Sequence, residues 1–396
     1  MVVSPFVDKR HGTERCVAEW IPRLADDFDV HIYSQRIEDI DLSKITWHRI
    51  PKLPGPHLLN YVWWFAANHA WRSWDRRVRG IRPDLLFSPG INCLDADVVS
   101  VHVVFAEYRR RFADELRLGR RSISLWPQLV HRKLYYRLIA FLENRVYRDQ
   151  ETVLFLIARR TGSELEHHFG RKPCPVIYLG LDNAIFNPGR RTSLRGRARS
   201  ELGYSDERLV LLLVGNHWIN KGLPVLLEAL GSLRHLPIDL LVVGREKSDD
   251  YRLMVEEKGL QDRVRFEEPR SDVEYYYAAA DVCAGPSLED TFSMPPAEAM
   301  ACGLPVIVSS ANGTSEIISH GVNGLILENP RDAASLSRMI RQLYEDKSFR
   351  ERLGTNAAQT AREYTWDRSA RELSRLLEET LHRKANMAAE TLAQES

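Results

Sequence analysis

Two carboxylates, Asp290 and Glu298, stand eight positions apart in the sequence GPSLEDTFSMPPAEAMACGLPVIV of residues 285–308. Ser293 is placed to cap a helix of about 294–302, because two prolines fall in the first turn, where a missing N–H group costs little. Outward-pointing N–H groups at such a helix start form a site for a phosphate group. The groups in question belong to Phe292, Ser293 and Met294. A phosphate flanked by two carboxylates that bind hydroxyl groups indicates a sugar-nucleotide site, and a capped core helix with two surface acids is the alternative.

A second loop, residues 215–222, reads GNHWINKG and follows a run of apolar residues that predicts a buried strand over 209–214. Lys221 lies where the next helix begins. It is placed to neutralise a phosphate that approaches the N–H groups of the loop. An ordinary surface lysine is the alternative.

The first part of the chain predicts a Rossmann-like unit: a strand at 2–6, a loop with Gly12 and a helix of about 14–24. Gly12 alone suits a plain turn equally well. His102 ends the predicted strand 98–101, and a polar residue at the carboxyl end of a strand in an open α/β sheet faces the ligand crevice. A single histidine in that position is also often structural.

A basic segment covers residues 108–137, where apolar and aromatic residues alternate with arginines. The arginines that we assign to a binding surface are Arg109, Arg110, Arg111, Arg117, Arg120 and Arg121. The segment fits an amphipathic helix on anionic lipid, a basic groove for an acceptor that carries a pyrophosphate, or a solvated helical hairpin. Nucleic acid is not an expected partner, because the net charge is only +1 and no nucleic-acid motif is present.

The length of 396 residues predicts two domains, and charge is divided unevenly between the halves. Residues 1–185 hold 28 Lys and Arg against 22 Asp and Glu, whereas residues 186–396 hold 27 against 32. Five cysteines without a C-x-x-C pair predict a reduced chain without structural zinc. Since no apolar run approaches the ~20 residues of a membrane span and no signal segment opens the chain, we expect a cytoplasmic protein, at most peripheral at the inner membrane face.

In their order along almost the whole chain, these stretches resemble the family-4 glycosyltransferases, which are retaining enzymes of the GT-B fold. The resemblance is carried by residues 2–17, 176–188, 214–222, 290–298 and 312–316. It implies an α/β chain with two Rossmann-like domains that face each other across a deep cleft. Residues 1–187 would bind the acceptor, residues 188–370 the nucleotide sugar, and residues 371–396 would form a helix that crosses back to the first domain, then a tail.

The resemblance also implies roles for single residues. The donor site would consist of Gly12, Asn216, Lys221, Asp290, Phe292, Ser293, Met294 and Glu298. Glu298 would hold the ribose hydroxyls, whereas Lys221, Asp290 and His102 would be the catalytic residues. Lys221 would bind the leaving diphosphate, and Asp290 would bind hydroxyls of the donor sugar. No metal ligand is predicted, because the D-x-D pattern of residues 95–97 falls in a turn where two solvated acids are common.

Three positions depart from the family pattern. Asn216 stands where the family usually has Arg, Asp290 replaces a Glu, and Asn312 replaces a Gly. The implied activity is retaining, metal-independent transfer of a sugar from a nucleoside diphosphate sugar to a saccharide or lipid-linked saccharide, in cell-surface polysaccharide or glycolipid synthesis. The nucleotide sugar would be a co-substrate, and no cofactor is expected. The alternatives are a sugar-nucleotide epimerase or hydrolase on the same fold, and a non-catalytic nucleotide-sugar-binding protein, which Asn216 favours.

Overall fold

The computed structural model describes residues 1–10, 12–111 and 126–395. The chain forms two compact units. Unit 1 consists of Met1–Leu179 together with Trp366–Ser396, and unit 2 is Gly180–Thr365. The sequence predicts these divisions after residues 187 and 370, eight and five residues later than the structure shows them.

Unit 1 contains a parallel sheet of six strands with the order β5-β3-β1-β6-β7-β8. The strands of unit 1 are β1 (Val2–Val3), β2 (Phe6–Val7), β3 (Val30–Ser34), β4 (Arg36–Ile37), β5 (Ile45–Arg49), β6 (Phe87–Pro89), β7 (Val98–Val101) and β8 (Val153–Leu156). The short strands β2 and β4 pair with each other outside the sheet. The first helices are α1 (Gly12–Leu24), α2 (His57–Trp74), α3 (Phe105–Arg111), α4 (Trp126–Val146) and α5 (Arg160–Phe169).

Unit 2 repeats this plan, with a six-stranded parallel sheet of order β11-β10-β9-β12-β13-β14. Its strands are β9 (Leu209–Val214), β10 (Ile238–Val243), β11 (Val264–Glu267), β12 (Val282–Gly285), β13 (Val306–Ser309) and β14 (Leu325–Leu327). Its helices are α6 (Pro188–Leu202), α7 (Leu223–Ser232), α8 (Asp249–Glu257), α9 (Glu274–Ala279), α10 (Met294–Ala301), α11 (Ala333–Glu345) and α12 (Lys347–Ala361). The central strands β9 and β10 are apolar almost throughout, because helices cover both faces of a parallel sheet.

The last helix, α13 (Trp366–Glu395), belongs to unit 1. Its first turns lie against α1, where the indole N–H of Trp20 donates to the Ser369 hydroxyl at 2.9 Å. Arg23 of α1 pairs with Asp367 at 2.6 Å. The end of the chain therefore helps to cover the first sheet.

The predicted α/β class with two Rossmann-like units is confirmed. In both sheets the chain runs outward from a central strand to one edge and then returns to the other side, which is the Rossmann order. The order reverses between β1 and β6 in unit 1 and between β9 and β12 in unit 2. Ligands of open α/β sheets bind at the carboxyl ends of the strands at such a reversal. None of the described helices is long and apolar enough to span a membrane.

Candidate functional site

In unit 2, the loops that follow β9 and β12 meet at the point where the strand order reverses. The side chain of Asn220 donates to the Glu289 carbonyl at 2.8 Å, and the Leu288 N–H donates to the Asn220 carbonyl at 2.7 Å. Gly222, at φ +84°, lets the loops come this close, since a Cβ atom there would lie 2.2 Å from the Pro286 carbonyl oxygen. Two polar loops are thus fixed against each other at the ligand edge of the sheet.

This contact brings together three of the predicted site residues. The Lys221 ammonium donates to the Asp290 carboxylate and, at 3.3 Å, to the Ser293 hydroxyl. The Lys221 and Asp290 side chains are only 18% and 17% exposed. Because water screens a charge pair less at such a depth than at the surface, the attraction between these charges is stronger than in an exposed pair.

Helix α10 begins at Met294, and its first turn holds the two prolines, as expected. Ser293 occupies the N-cap position but makes no capping bond with its side chain. Its N–H donates to the Thr314 hydroxyl oxygen at 3.2 Å, and its carbonyl accepts from the same hydroxyl at 2.7 Å. The prediction of an outward-pointing Ser293 N–H was therefore wrong, because Thr314 from a distant turn takes that amide.

Glu298 lies about one turn into α10 and is only 4% exposed. Its Oε2 atom accepts from the hydroxyl of Tyr277 at 2.8 Å. Complete burial, together with the charge of Glu298, raises the pKa of Tyr277 well above its ordinary value. Tyr277 therefore stays protonated and fixes the position of the carboxylate.

The remaining predicted residues of unit 2 lie in the same two loops. Phe292 is buried beside the start of α10. Asn216 is exposed, and its Oδ1 atom accepts from the Arg245 N–H at 2.8 Å. The pairing of Val214 with Val243 puts Arg245 next to Asn216 in the register of the sheet. Tyr277, Thr314 and Arg245 were not predicted from the sequence.

Gly12 and His102 belong to unit 1. Gly12 is the first residue of α1, and a Cβ atom there would meet nothing within 4 Å. His102 follows β7 and lies against a cavity of about 440 Å³ that Asn92 and Tyr61 also line. Its Nε2 atom is 3.0 Å from the Ser100 hydroxyl. That Gly12 and His102 face the donor stays a prediction.

Burial of His102 lowers its pKa to about 4. The imidazole is therefore neutral at pH 7, with one nitrogen that donates and one that accepts. It can hydrogen-bond a sugar hydroxyl at that pH, but it adds no positive charge.

The basic surface predicted from the sequence is described only in part. Arg117, Arg120 and Arg121 lie outside the described residues. Arg109, Arg110 and Arg111 form the last turn of α3. Arg110 makes two hydrogen bonds to Glu107, at 2.8 and 2.6 Å, so its charge is largely balanced within the helix.

The D-x-D acids of residues 95–97 are held in ion pairs with basic side chains. Asp95 accepts two hydrogen bonds from Arg72, both at 2.8 Å, and Asp97 pairs with Lys384 at 2.8 Å. Within residues 1–10, 12–111 and 126–395, no group of three or more His, Cys, Asp or Glu side chains is arranged to hold a metal ion.

Comparison with known proteins finds a family match within the second unit. Residues 195–360 match the model of the family described as Glycosyl transferases group 1. The D-inositol 3-phosphate glycosyltransferase of Corynebacterium glutamicum (strain R) is 30% identical over 246 residues, which are 59% of this chain and 58% of that protein. The protein of the same name from Thermobifida fusca (strain YX) is 28% identical over 237 residues, 56% of this chain and 53% of that one. These alignments span less than two thirds of each relative.

Solved structures share the fold over nearly the whole chain. WaaG, a glycosyltransferase involved in lipopolysaccharide biosynthesis, superposes with a TM-score of 0.73 at 19% identity, over 95% of this chain and 98% of that one. Anabaena Alr3699/HepE in complex with UDP-glucose gives a TM-score of 0.69 at 20% identity, over 96% of this chain and 99% of that one. Lys221, Asp290 and Glu298 all fall within the family match. Over residues 195–360, this chain is therefore similar to the glycosyl transferases group 1 family.

Proposed function

We propose that this protein transfers a sugar from a nucleoside diphosphate sugar to an acceptor hydroxyl. The observation that carries the proposal is the cluster of Lys221, Asp290 and Ser293 at the start of α10, with Glu298 fixed one turn further on. An ammonium beside a helix start suits a diphosphate, and carboxylates suit the hydroxyls of a sugar and a ribose. The family match to residues 195–360 and a structural relative that holds UDP-glucose support it.

In the proposed reaction, the acceptor oxygen forms a bond to the anomeric carbon while the bond from that carbon to the phosphate oxygen breaks. The electron pair stays with the diphosphate, and the acceptor's proton passes to an oxygen of that leaving group. Attack and departure occur on one face of the sugar, which retains the anomeric configuration. Lys221 stabilises the charge that develops on the diphosphate.

The other residues position the donor. Asp290 binds sugar hydroxyls, Glu298 binds the ribose, and neutral His102 hydrogen-bonds the sugar near the reacting carbon. Gly12 leaves room for the diphosphate. The proposed reaction uses no metal ion and no cofactor, since Lys221 and the start of α10 supply the stabilisation.

The acceptor is a saccharide or a lipid-linked saccharide. With such an acceptor, the protein would act in the synthesis of a cell-surface polysaccharide or glycolipid. It would work in the cytoplasm, peripherally at the inner membrane face. The excess of basic residues in the first half of the sequence supports an anionic acceptor or membrane surface.

A nucleotide-release assay separates the proposal from its alternatives. UDP-, GDP-, ADP- and dTDP-glucose are each supplied with and without a panel of acceptors. Transfer releases the nucleoside diphosphate only when an acceptor is present and gives a product whose anomeric configuration is read by NMR. A hydrolase releases sugar without an acceptor, an epimerase changes the sugar without release, and a binding protein does neither.

Two further arms test the details. Activity that survives EDTA supports the metal-independent reaction. Lys221→Ala should lower turnover by a factor of about 100 to 1000, whereas Lys247→Ala, an exposed lysine of the loop after β10, is the matched control. Equal rates for these variants would remove Lys221 from the reaction.

A further inference from the structure

Helix α4 exposes a row of large apolar residues. The row consists of Trp126, Val130, Leu134 and Phe141. Each is between 39% and 57% exposed. Their spacing of four and seven residues puts them on one side of the helix. The opposite side of α4 packs into unit 1, where it buries Leu129, Ile139, Leu142 and Val146. Among the described residues of unit 1, packing thus does not explain the apolar row.

The charges on α4 have one sign at the surface. Its basic residues Arg132, Lys133, Arg137 and Arg145 are exposed or half-buried. Its single acid, Glu143, is fully buried and accepts from the N–H groups of Phe105 and Ala106 at 2.6 and 2.9 Å. The outer side of the helix is therefore both apolar and positively charged.

The start of α2 lies beside α4 and exposes two more apolar residues. The Leu58 N–H donates to His131 Nε2 of α4 at 3.3 Å, and the ring of His57 packs edge-on against Tyr135. Next to this contact, Leu59 and Val62 are 63% and 47% exposed. We call the exposed residues Leu59, Val62, Trp126, Val130, Leu134 and Phe141 the apolar face.

We propose that the apolar face docks on an anionic lipid bilayer. Apolar side chains of a surface helix enter the boundary between headgroups and acyl chains, while flanking Lys and Arg side chains reach the phosphates. A second copy of the chain is a less favourable partner. In a symmetric contact of this face with itself, Arg137 and Arg145 of one copy would lie close to the same arginines of the other copy, and these positive charges would repel each other. This inference rests on the membrane location in the proposed function, to which it assigns a surface, but it does not depend on the transfer reaction.

Binding to vesicles tests the proposal. The full chain should bind vesicles that contain about 40% phosphatidylserine and bind poorly to pure phosphatidylcholine. Each basic residue near an anionic membrane surface raises the binding affinity by about fivefold. Leu134→Ser/Phe141→Ser should lower the partition coefficient on anionic vesicles at least about tenfold. The matched control is Leu253→Ser/Val322→Ser, two residues of unit 2 that are 71% and 55% exposed.

A second pair of variants tests the charge. Arg137→Gln/Arg145→Gln should weaken binding and flatten its dependence on salt, because salt screens exposed charges. Arg331→Gln/Arg341→Gln, on the exposed surface of unit 2, should leave both unchanged. Thermal melting and binding of the nucleotide sugar should be normal in all four variants, which separates a failure of this proposal from a failure of the donor site.

Three results would overturn the proposal. One is equal vesicle binding by Leu134→Ser/Phe141→Ser and its control. Another is binding that does not depend on anionic lipid. The third is a dimer of the wild-type chain, seen by sedimentation, that this variant dissociates while vesicles capture neither protein.

Discussion

The pairing of Lys221 with Asp290 gives the sharpest test of the proposed function. The two residues are 69 positions apart in the sequence and meet only in the folded unit. Lys221→Met removes the charge but keeps most of the side-chain length, and Asp290→Asn removes the opposite charge with little change of shape. The two single variants and the double variant form a cycle that separates the role of the pair in folding from its role in the reaction.

The structure sets the expected sizes. Both side chains are less than one fifth exposed. Loss of one partner leaves the other charge part-buried, so each single variant should lose about 1–3 kcal/mol of unfolding free energy. The double variant should lose less than the sum of the two, because neither charge is then left alone. Turnover should fall by a factor of about 100 to 1000 in Lys221→Met, and the double variant should not regain it.

Asp290→Asn should change the affinities for substrate and product in opposite directions. When a nucleoside diphosphate binds to the wild type, Lys221 must leave its ion pair with Asp290. The Asp290 carboxylate then has no sugar hydroxyl to replace the lost hydrogen bond. A nucleotide sugar supplies those hydroxyls. The variant should therefore bind the nucleoside diphosphate more tightly and the nucleotide sugar more weakly than the wild type. Calorimetric titration with both ligands measures this reversal.

The measurements are released nucleoside diphosphate for turnover and denaturant unfolding for stability. A Lys221→Met variant that folds normally and keeps a rate within about threefold of the wild type would exclude Lys221 from the reaction. If the losses of unfolding free energy in the two single variants simply add in the double variant, the two charges do not interact.

Four further outcomes are expected. Gly12→Ala should fold normally, since its Cβ meets open space, yet weaken donor binding if a diphosphate approaches there; calorimetry and thermal melting check both. Relative to His102→Gln, the wild type should lose up to ~3 kcal/mol of unfolding free energy between pH 6.5 and pH 4, because its folded-state pKa of about 4 lies below the ordinary value and the unfolded chain alone binds the proton there. Tyr277→Phe should cost about 1–2 kcal/mol of unfolding free energy and weaken donor binding severalfold, measured by denaturation and calorimetry. Arg245→Gln should weaken binding of the nucleoside diphosphate severalfold in the same titration, with Lys247→Gln as its control.

The sequence predicted those parts of the fold that depend on local patterns. The apolar runs of 209–214 and 238–243 are the central strands β9 and β10 of the second sheet. The prolines after Met294 mark the start of α10 through a backbone rule that holds without tertiary context. Since strand–helix alternation also gives a parallel sheet, the loops that carry Lys221 and Asp290 lie at the same edge.

The contacts that complete the site depend on residues that are distant in sequence. Tyr277 lies 21 positions before Glu298, and Thr314 lies 21 positions after Ser293. No local pattern distinguishes Tyr277 from its tyrosine neighbours at 275 and 276. Thr314 takes the Ser293 amide only because a turn after β13 packs under the start of α10. Such pairs follow from the topology of the sheet, which local periodicity does not report.

The same limit applies to the basic segment of residues 108–137. Its composition suggested a charged amphipathic surface but not which side of each helix faces solvent. In the structure, Leu129 is buried and Tyr135 lines the cavity of unit 1, whereas Val130 and Leu134 are exposed. In α4, the described part that carries these residues, burial separates a core side from an outer side, and the outer side is the one available to a membrane.

The departure at Asn216 has a structural counterpart. Its side-chain oxygen holds the N–H of Arg245, at the end of the neighbouring strand β10. Adjacent strands lie about 4.8 Å apart, a distance that an arginine side chain can cover. Arg245 therefore lies one strand away from position 216, where the resembled family usually has an arginine. Suppose that Arg245→Gln weakens binding of the nucleoside diphosphate and Lys247→Gln does not. The positive charge of the family site is then supplied from the neighbouring strand rather than lost, and Asn216 no longer favours a protein that only binds its nucleotide sugar.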